Sequence, residues 1–142
     1  MPLLSTIVAM TAILVGAREQ TQNAVTQAQL TRFQVTFKAK QEGYALFMRA
    51  FADAYHHARS GDSKGLSDSL DNLRSSYFSL EPFLNDSERR YVWDGYEQFA
   101  ASCNLLSKEP PDSPKRDGFD KSYFTYEDSF REQLFRALFE RP

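Results

Sequence analysis

The sequence predicts an all-α protein in which a membrane helix at the N-terminus is continuous with a long first helix. Antiparallel helices then form a small up-down helical bundle. Three observations lead to this prediction. The first seventeen residues carry no charge, no proline interrupts residues 3–81, and apolar residues recur at spacings of three, four and seven from Leu30 onward. Such spacings place side chains on one face of an α-helix.

The uncharged segment 1–17 has three interpretations: a membrane anchor, a signal peptide and a buried core helix. As a helix, Pro2–Ala17 spans about 24 Å, whereas a bilayer core is roughly 30 Å thick. Val15-Gly16-Ala17 suits a cleavage site, but no basic residue precedes the apolar run as it does in a signal peptide. The polar residues of the segment do not form the single stripe of a core helix. We therefore favour the anchor.

Charge around this segment predicts the orientation of a single-pass membrane protein. Lys and Arg mark the cytoplasmic side of a span. Arg18 and Arg32 follow the segment, and no basic residue precedes it. The body is therefore expected in the cytoplasm rather than exported, with the lipid bilayer as a partner. The single cysteine, Cys103, cannot form an internal disulfide and also favours a reducing compartment.

The first helix is predicted to run unbroken to Arg59. Glycine at position 61 then stops it, because glycine tolerates the left-handed backbone found just past a helix end. Residues 18–36 are rich in amides and are predicted to form a polar helical stalk, with the bundle over residues 37–142. A column of residues recurs every seven positions, as in a coiled coil: Leu30, Phe37, Tyr44, Phe51 and Ala58.

Two further helices follow in the chain. A second helix is expected over Ser63–Glu81, because leucines continue the helical spacing and Pro82 disfavours a helical residue before it. Asn85 and Glu88 have the spacing of a capping box, in which each residue bonds the backbone of the other. They predict the start of a third helix, which ends near Ser107.

The C-terminal part of the chain is predicted to contain a loop and a last helix. Residues 109–121 combine three prolines and Gly118 with mixed charges, which is typical of a loop. Thr125 offers a cap for a final helix that runs through Phe139.

In the third helix, Gly95 costs about 1 kcal/mol relative to alanine, so we expect it to mark a close contact.

One cluster of side chains has the composition of a metal site: Asp53, His56 and His57. Adjacent residues of a helix point about 100° apart, so the two histidines do not readily face one ion. A metal site needs three or four ligands, and no second carboxylate–histidine motif accompanies this one. We therefore predict no metal and no cofactor here, only a solvated helix end. A catalytic role for these three residues is the rival interpretation.

Composition narrows the function of the chain. A net charge of −2 gives no strong field for nucleic acid. The sequence holds no glycine-rich phosphate loop, no C-x-x-C motif and no nucleophile constellation, so no catalytic residue and no enzyme are predicted. We predict a membrane-tethered helical interaction or scaffold protein. Its partners would be an unidentified protein and a second copy that pairs through Leu30–Phe37 of the first helix.

The alternative function belongs to another class. The chain holds twelve phenylalanines, seven tyrosines and one tryptophan, spread over all the predicted helices. Together they could line a pocket inside the bundle. The alternative is therefore an exported soluble helical bundle that binds a small apolar ligand.

Overall fold

A computed structural model of the chain describes residues 2–140, and the side chains of residues 16–140. Four α-helices account for most of this range: α1 is Pro2–Ser60, α2 is Ser63–Leu80, α3 is Asp86–Ser107 and α4 is Lys115–Phe135. A 3-10 turn over Glu81–Phe83 follows α2, and a π-helical turn over Arg136–Glu140 follows α4. Residues 2–140 include no strand, which confirms the all-α prediction and the unbroken first helix.

Packing divides the chain into two units, Met1–Ala39 and Lys40–Pro142. In the second unit, the C-terminal part of α1 packs with α2, α3 and α4 around a shared apolar core. We call this unit the bundle. In the first unit, every side chain from residue 17 to residue 39 is exposed.

The predicted membrane helix is not supported. No helix among the described residues is long and apolar enough to cross a bilayer, so the prediction of a single-pass membrane localisation is wrong. The physical reason is length. Arg18 and Glu19 end the apolar run after about 24 Å of helix, short of a bilayer core of roughly 30 Å. The side chains of residues 1–15, on which the prediction of an anchor rested, lie outside those that the structure describes.

The boundaries of α2 and α3 follow from the predicted local signals. Gly61 adopts φ +72°, the left-handed conformation that ends α1. Pro82 follows the end of α2 at Leu80 and lies in the 3-10 turn. The Asn85 Oδ1 atom accepts a hydrogen bond from the Glu88 backbone N–H at 2.9 Å, and the Asn85 N–H donates to Glu88 Oε1 at 2.8 Å. This reciprocal pair confirms the capping box.

Phe51 lies at the centre of the bundle core. Its ring is fully buried, and its centroid lies 4.2 Å from that of Phe99 in α3. The rings of Tyr123 and Phe130 in α4 lie 5.1 and 5.3 Å from it. These distances are typical of favourable aromatic pairs. One side chain of α1 therefore joins α3 and α4.

Contacts between α1 and α4 run in opposite order along the two helices. Tyr44 contacts Phe139 in the π-helical turn that follows α4, Phe47 contacts Phe130, and Tyr55 contacts Phe119. These pairs make the two helices antiparallel.

The last helix begins earlier than the sequence indicates. We predicted a loop over residues 109–121, but α4 begins at Lys115 and only residues 108–114 separate it from α3. Phe119 and Tyr123 are buried, and they extend the apolar face of Phe130 and Leu134 toward the N-terminus of the helix. Burial of these rings outweighs the cost of Gly118, which lies on the exposed side.

The central position of Phe51 predicts a large loss of stability on truncation. Phe51→Ala should lower the free energy of unfolding by about 3–5 kcal/mol, because it leaves a cavity between α1, α3 and α4. Gln27→Ala, a change at an exposed position of α1, should alter it by less than about 0.5 kcal/mol. Urea denaturation of the full chain measures both. Equal effects from the two substitutions would contradict this assignment of the core.

Gly95 marks a close contact, as predicted, and Gly118 provides its control. A Cβ atom at position 95 would lie 2.6 Å from Cζ of Phe130, whereas one at position 118 would meet nothing within 4 Å. Gly95→Ala should therefore destabilise the protein by about 1–3 kcal/mol despite better helix propensity. Gly118→Ala should stabilise it by up to about 1 kcal/mol. Thermal unfolding of the two variants tests the difference in sign.

Candidate functional site

The structure does not gather the predicted metal-like cluster around one point. His57 Nδ1 lies 3.3 Å from Asp62 Oδ2, at the junction of α1 and α2. The His56 ring packs edge-on against Tyr55, with their centroids 5.3 Å apart, and Asp53 lies beside a cleft between α1 and α2. Among the described residues, no group of three potential ligands is placed to hold a metal ion. Of the three residues, His57 is the one that contacts a residue at the junction of α1 and α2.

The aromatic residues of the bundle pack mainly against one another. The stacked rings of Tyr55 and Tyr123, with centroids 3.9 Å apart, continue the group around Phe51. A cleft of about 390 Å³ lies instead at the surface between α3 and α4. Leu105, Leu106 and Phe119 line it, and the ion pair of Lys115 Nζ and Glu109 Oε1, 2.9 Å apart, stands beside it. The alternative function, binding of a small apolar ligand in a pocket lined by the aromatics, stays a prediction.

A partly buried polar network at the edge of the core connects α1 to α4. The Tyr55 hydroxyl donates to Asp120 Oδ1 at 2.7 Å, and Arg59 Nε lies 3.4 Å from the same oxygen. Burial raises the pKa of Tyr55, and the hydrogen bond to Asp120 raises it further. Asp120 was not among the predicted site residues, because it lies in the segment 109–121 that was predicted as a loop. The network holds helices together and contains no group poised as a nucleophile.

An aromatic cluster with one arginine lies where α2 meets α3. The Arg74 guanidinium lies 5.7 Å from the Phe78 ring centroid and 6.0 Å from that of Trp93, as in cation–π pairs. Tyr77 and Tyr96 each lie 5.1 Å from Trp93. The side chains of this cluster contact one another across the two helices. The cluster therefore holds α2 against α3.

The first unit presents a different surface. Leu30 is 55% exposed and Phe33 is 67% exposed, although both are large apolar residues. Phe33 stacks on Phe37, with ring centroids 6.1 Å apart. In a seven-residue repeat, Leu30, Phe33 and Phe37 lie on one stripe of the helix. The same stripe includes two polar residues N-terminal to them. We call this stripe the α1 seam: Asn23, Thr26, Leu30, Phe33 and Phe37.

The two edges of the α1 seam carry no charge. In the heptad that places Leu30 at position a and Phe33 at position d, the flanking e and g positions are those where coiled-coil helices carry charges that select a partner. Five of the six flanking residues are glutamines. The e positions are Gln20, Gln27 and Gln34, and the g positions are Gln22, Gln29 and Thr36.

Comparisons of the chain with protein-family profiles, with curated proteins and with solved structures found no match. The α1 seam places two large apolar side chains that are each more than half exposed, Leu30 and Phe33, on one face of a helix.

Cys103 is not a reactive thiol, and its burial gives a prediction about pH. Desolvation raises its pKa to about 12, whereas an unfolded cysteine titrates near ~8.5. The unfolded chain thus releases this proton first, and stability should fall as pH rises from about 9 to 12. The loss should be about 1.4 kcal/mol per pH unit from this group.

Urea denaturation at pH 9, 10 and 11 measures this loss, with Cys103→Ala as the comparison. Buried tyrosines, whose pKa values are also raised, contribute to both proteins, so the difference in slope isolates the thiol. Equal slopes in the two proteins would contradict the assignment.

Proposed function

We propose that this chain is a non-enzymatic helical interaction module that acts by pairing with a second copy through the α1 seam. The observation that carries the proposal is the exposure of Leu30 and Phe33, three residues apart on one face of α1. Exposed apolar rows bordered by polar residues are typical of interaction surfaces. The proposal keeps the predicted scaffold role and the predicted homodimer, and it requires no membrane.

Burial of the α1 seam supplies the driving force for pairing. Covering a leucine or phenylalanine side chain contributes about 1.5–3 kcal/mol relative to leaving it in water. A symmetric pair covers each side chain twice, once in each copy. Part of this gain offsets the loss of translational and rotational freedom on association. We therefore expect a moderate affinity, with a dissociation constant in the micromolar range. This corresponds to a binding free energy on the order of −8 kcal/mol.

The uncharged edges of the α1 seam are compatible with a second copy as the occupant. In a parallel pair of identical helices each g position faces an e position of the partner, so charges of one sign at these positions would repel. Glutamines at five of these positions avoid that repulsion. Their amides carry both a donor and an acceptor, so glutamine can bond glutamine across the pair. The surface is thus compatible with itself.

The proposal predicts a charge-sensitive dimer. Phe33→Lys should abolish pairing of the full chain, because it places a buried positive charge opposite its own copy. Val35→Lys makes a matched change at a 64% exposed valine outside the α1 seam and should leave pairing intact. Sedimentation velocity from about 1 to 200 µM, a range set around the expected micromolar affinity, measures both. A chain that stays monomeric throughout, or equal loss in both variants, would overturn the proposal.

A further inference from the structure

We infer that the cleft between α1 and α2 binds a free α-amino acid with an apolar side chain. The cleft has a volume of about 370 Å³ and lies within the bundle. Small-molecule sites are clefts of roughly 300–1,000 Å³ in which a few polar groups fix the orientation of the ligand. The inference concerns the bundle alone and does not depend on the α1 seam or on pairing.

Two opposite charges from α1 line this cleft without neutralising each other. Arg49 and Asp53 are four residues apart, which places their Cβ atoms about 5–6 Å apart on one face of the helix. Both side chains are exposed, and neither forms an ion pair or a hydrogen bond with another residue in the described part of the chain. A cation that precedes an anion at this spacing is the less favourable order for pairing within a helix. Each charge is therefore available to a ligand group of the opposite sign.

The opposite wall of the cleft comes from α2 and adds uncharged hydrogen-bonding groups. Asn72 and Ser75 line it and are exposed. Within residues 16–140, neither side chain has a hydrogen-bond partner, whereas the Ser76 hydroxyl beside them donates to the Leu73 carbonyl oxygen at 2.8 Å. An amide and a hydroxyl each offer a donor and an acceptor. This wall can thus add hydrogen bonds to a carboxylate or to an ammonium group.

An apolar surface lies beside the two charges. Leu46 is 55% exposed and lines the cleft together with the buried Ala50. Leu46 precedes Arg49 by three residues, so the apolar and the charged side chains share one face of α1. A ligand that covers Leu46 removes apolar surface from water, which favours binding.

These groups together match the chemistry of an apolar α-amino acid. Its carboxylate pairs with Arg49, its ammonium group pairs with Asp53, and its side chain covers Leu46. Asp53 would repel a ligand that is only anionic, and Arg49 would repel one that is only cationic, so a zwitterion is favoured. The cleft between α3 and α4 offers no such match, because Lys115 and Glu109 already pair with each other there.

Nuclear magnetic resonance titration of the isotope-labelled full chain tests the inference, with L-leucine as the probe. We expect saturable shifts of the backbone amide signals of residues 46–53 and 72–76. The dissociation constant should be on the order of 1 mM, because ion pairs that remain open to solvent are individually weak. Leucinamide lacks the carboxylate and isocaproate lacks the ammonium group, so each should bind about fivefold more weakly than leucine.

Two variants assign each charge of the ligand to its partner. In Arg49→Gln the preference for leucine over leucinamide should disappear, because the partner of the carboxylate is gone. In Asp53→Asn the preference for leucine over isocaproate should disappear. Arg90→Gln and Asp68→Asn make matched changes at exposed positions outside the cleft and should keep both preferences. The spectrum of each variant also shows whether it is folded.

The outcomes decide the inference without involving the proposed function. Saturable binding of leucine at the cleft, with each preference lost in its own variant, supports it. No saturable shift up to about 20 mM leucine, well above the expected dissociation constant, overturns it. Shifts centred elsewhere in the chain, equal binding of the three ligands, or a preference that survives in its variant also overturn it. Pairing through the α1 seam is measured separately by sedimentation and stands or falls on that result.

Discussion

The packing of Phe51 is the contact on which the rest of the bundle depends. Its ring reaches Phe99 of α3 together with Tyr123 and Phe130 of α4. Three helices that are distant in sequence therefore share one buried centre. Because aromatic rings are large and stiff, their mutual fit fixes how the helices can lie. The contact of Gly95 with Phe130 follows from the same arrangement, since a side chain at that position would push the ring out of place.

Polar contacts complete the edges of this core without adding a reactive centre. Asp120 accepts the Tyr55 hydroxyl and lies near Arg59, which connects the C-terminal part of α1 to α4. His57 lies near Asp62, whose side chain also caps α2 by accepting from Gly65 N–H at 3.0 Å. His57 and Asp62 thus lie at a helix end, and Asp120 lies at a contact between helices.

The bundle and the first unit use apolar residues in opposite ways. In the bundle, the leucines and aromatics of successive helices cover one another. In residues 16–39, the same heptad column continues as Leu30 and Phe37, yet Leu30 is more than half exposed. The difference lies in coverage, because Leu30 and Phe33 belong to a stretch of α1 whose side chains are all exposed from residue 17 to residue 39.

Local sequence signals determined the helices, their ends and most of their buried faces. Gly61, Pro82 and the Asn85–Glu88 pair act within a few residues, so their effects could be predicted without knowledge of the fold. The start of α4 could not, because burial of Phe119 and Tyr123 against other helices outweighs the loop signal of neighbouring prolines and glycine. The same limit applied to the heptad column and to Asp53, His56 and His57. Periodicity shows which residues share a face, but only the packing of distant segments decides whether that face is covered.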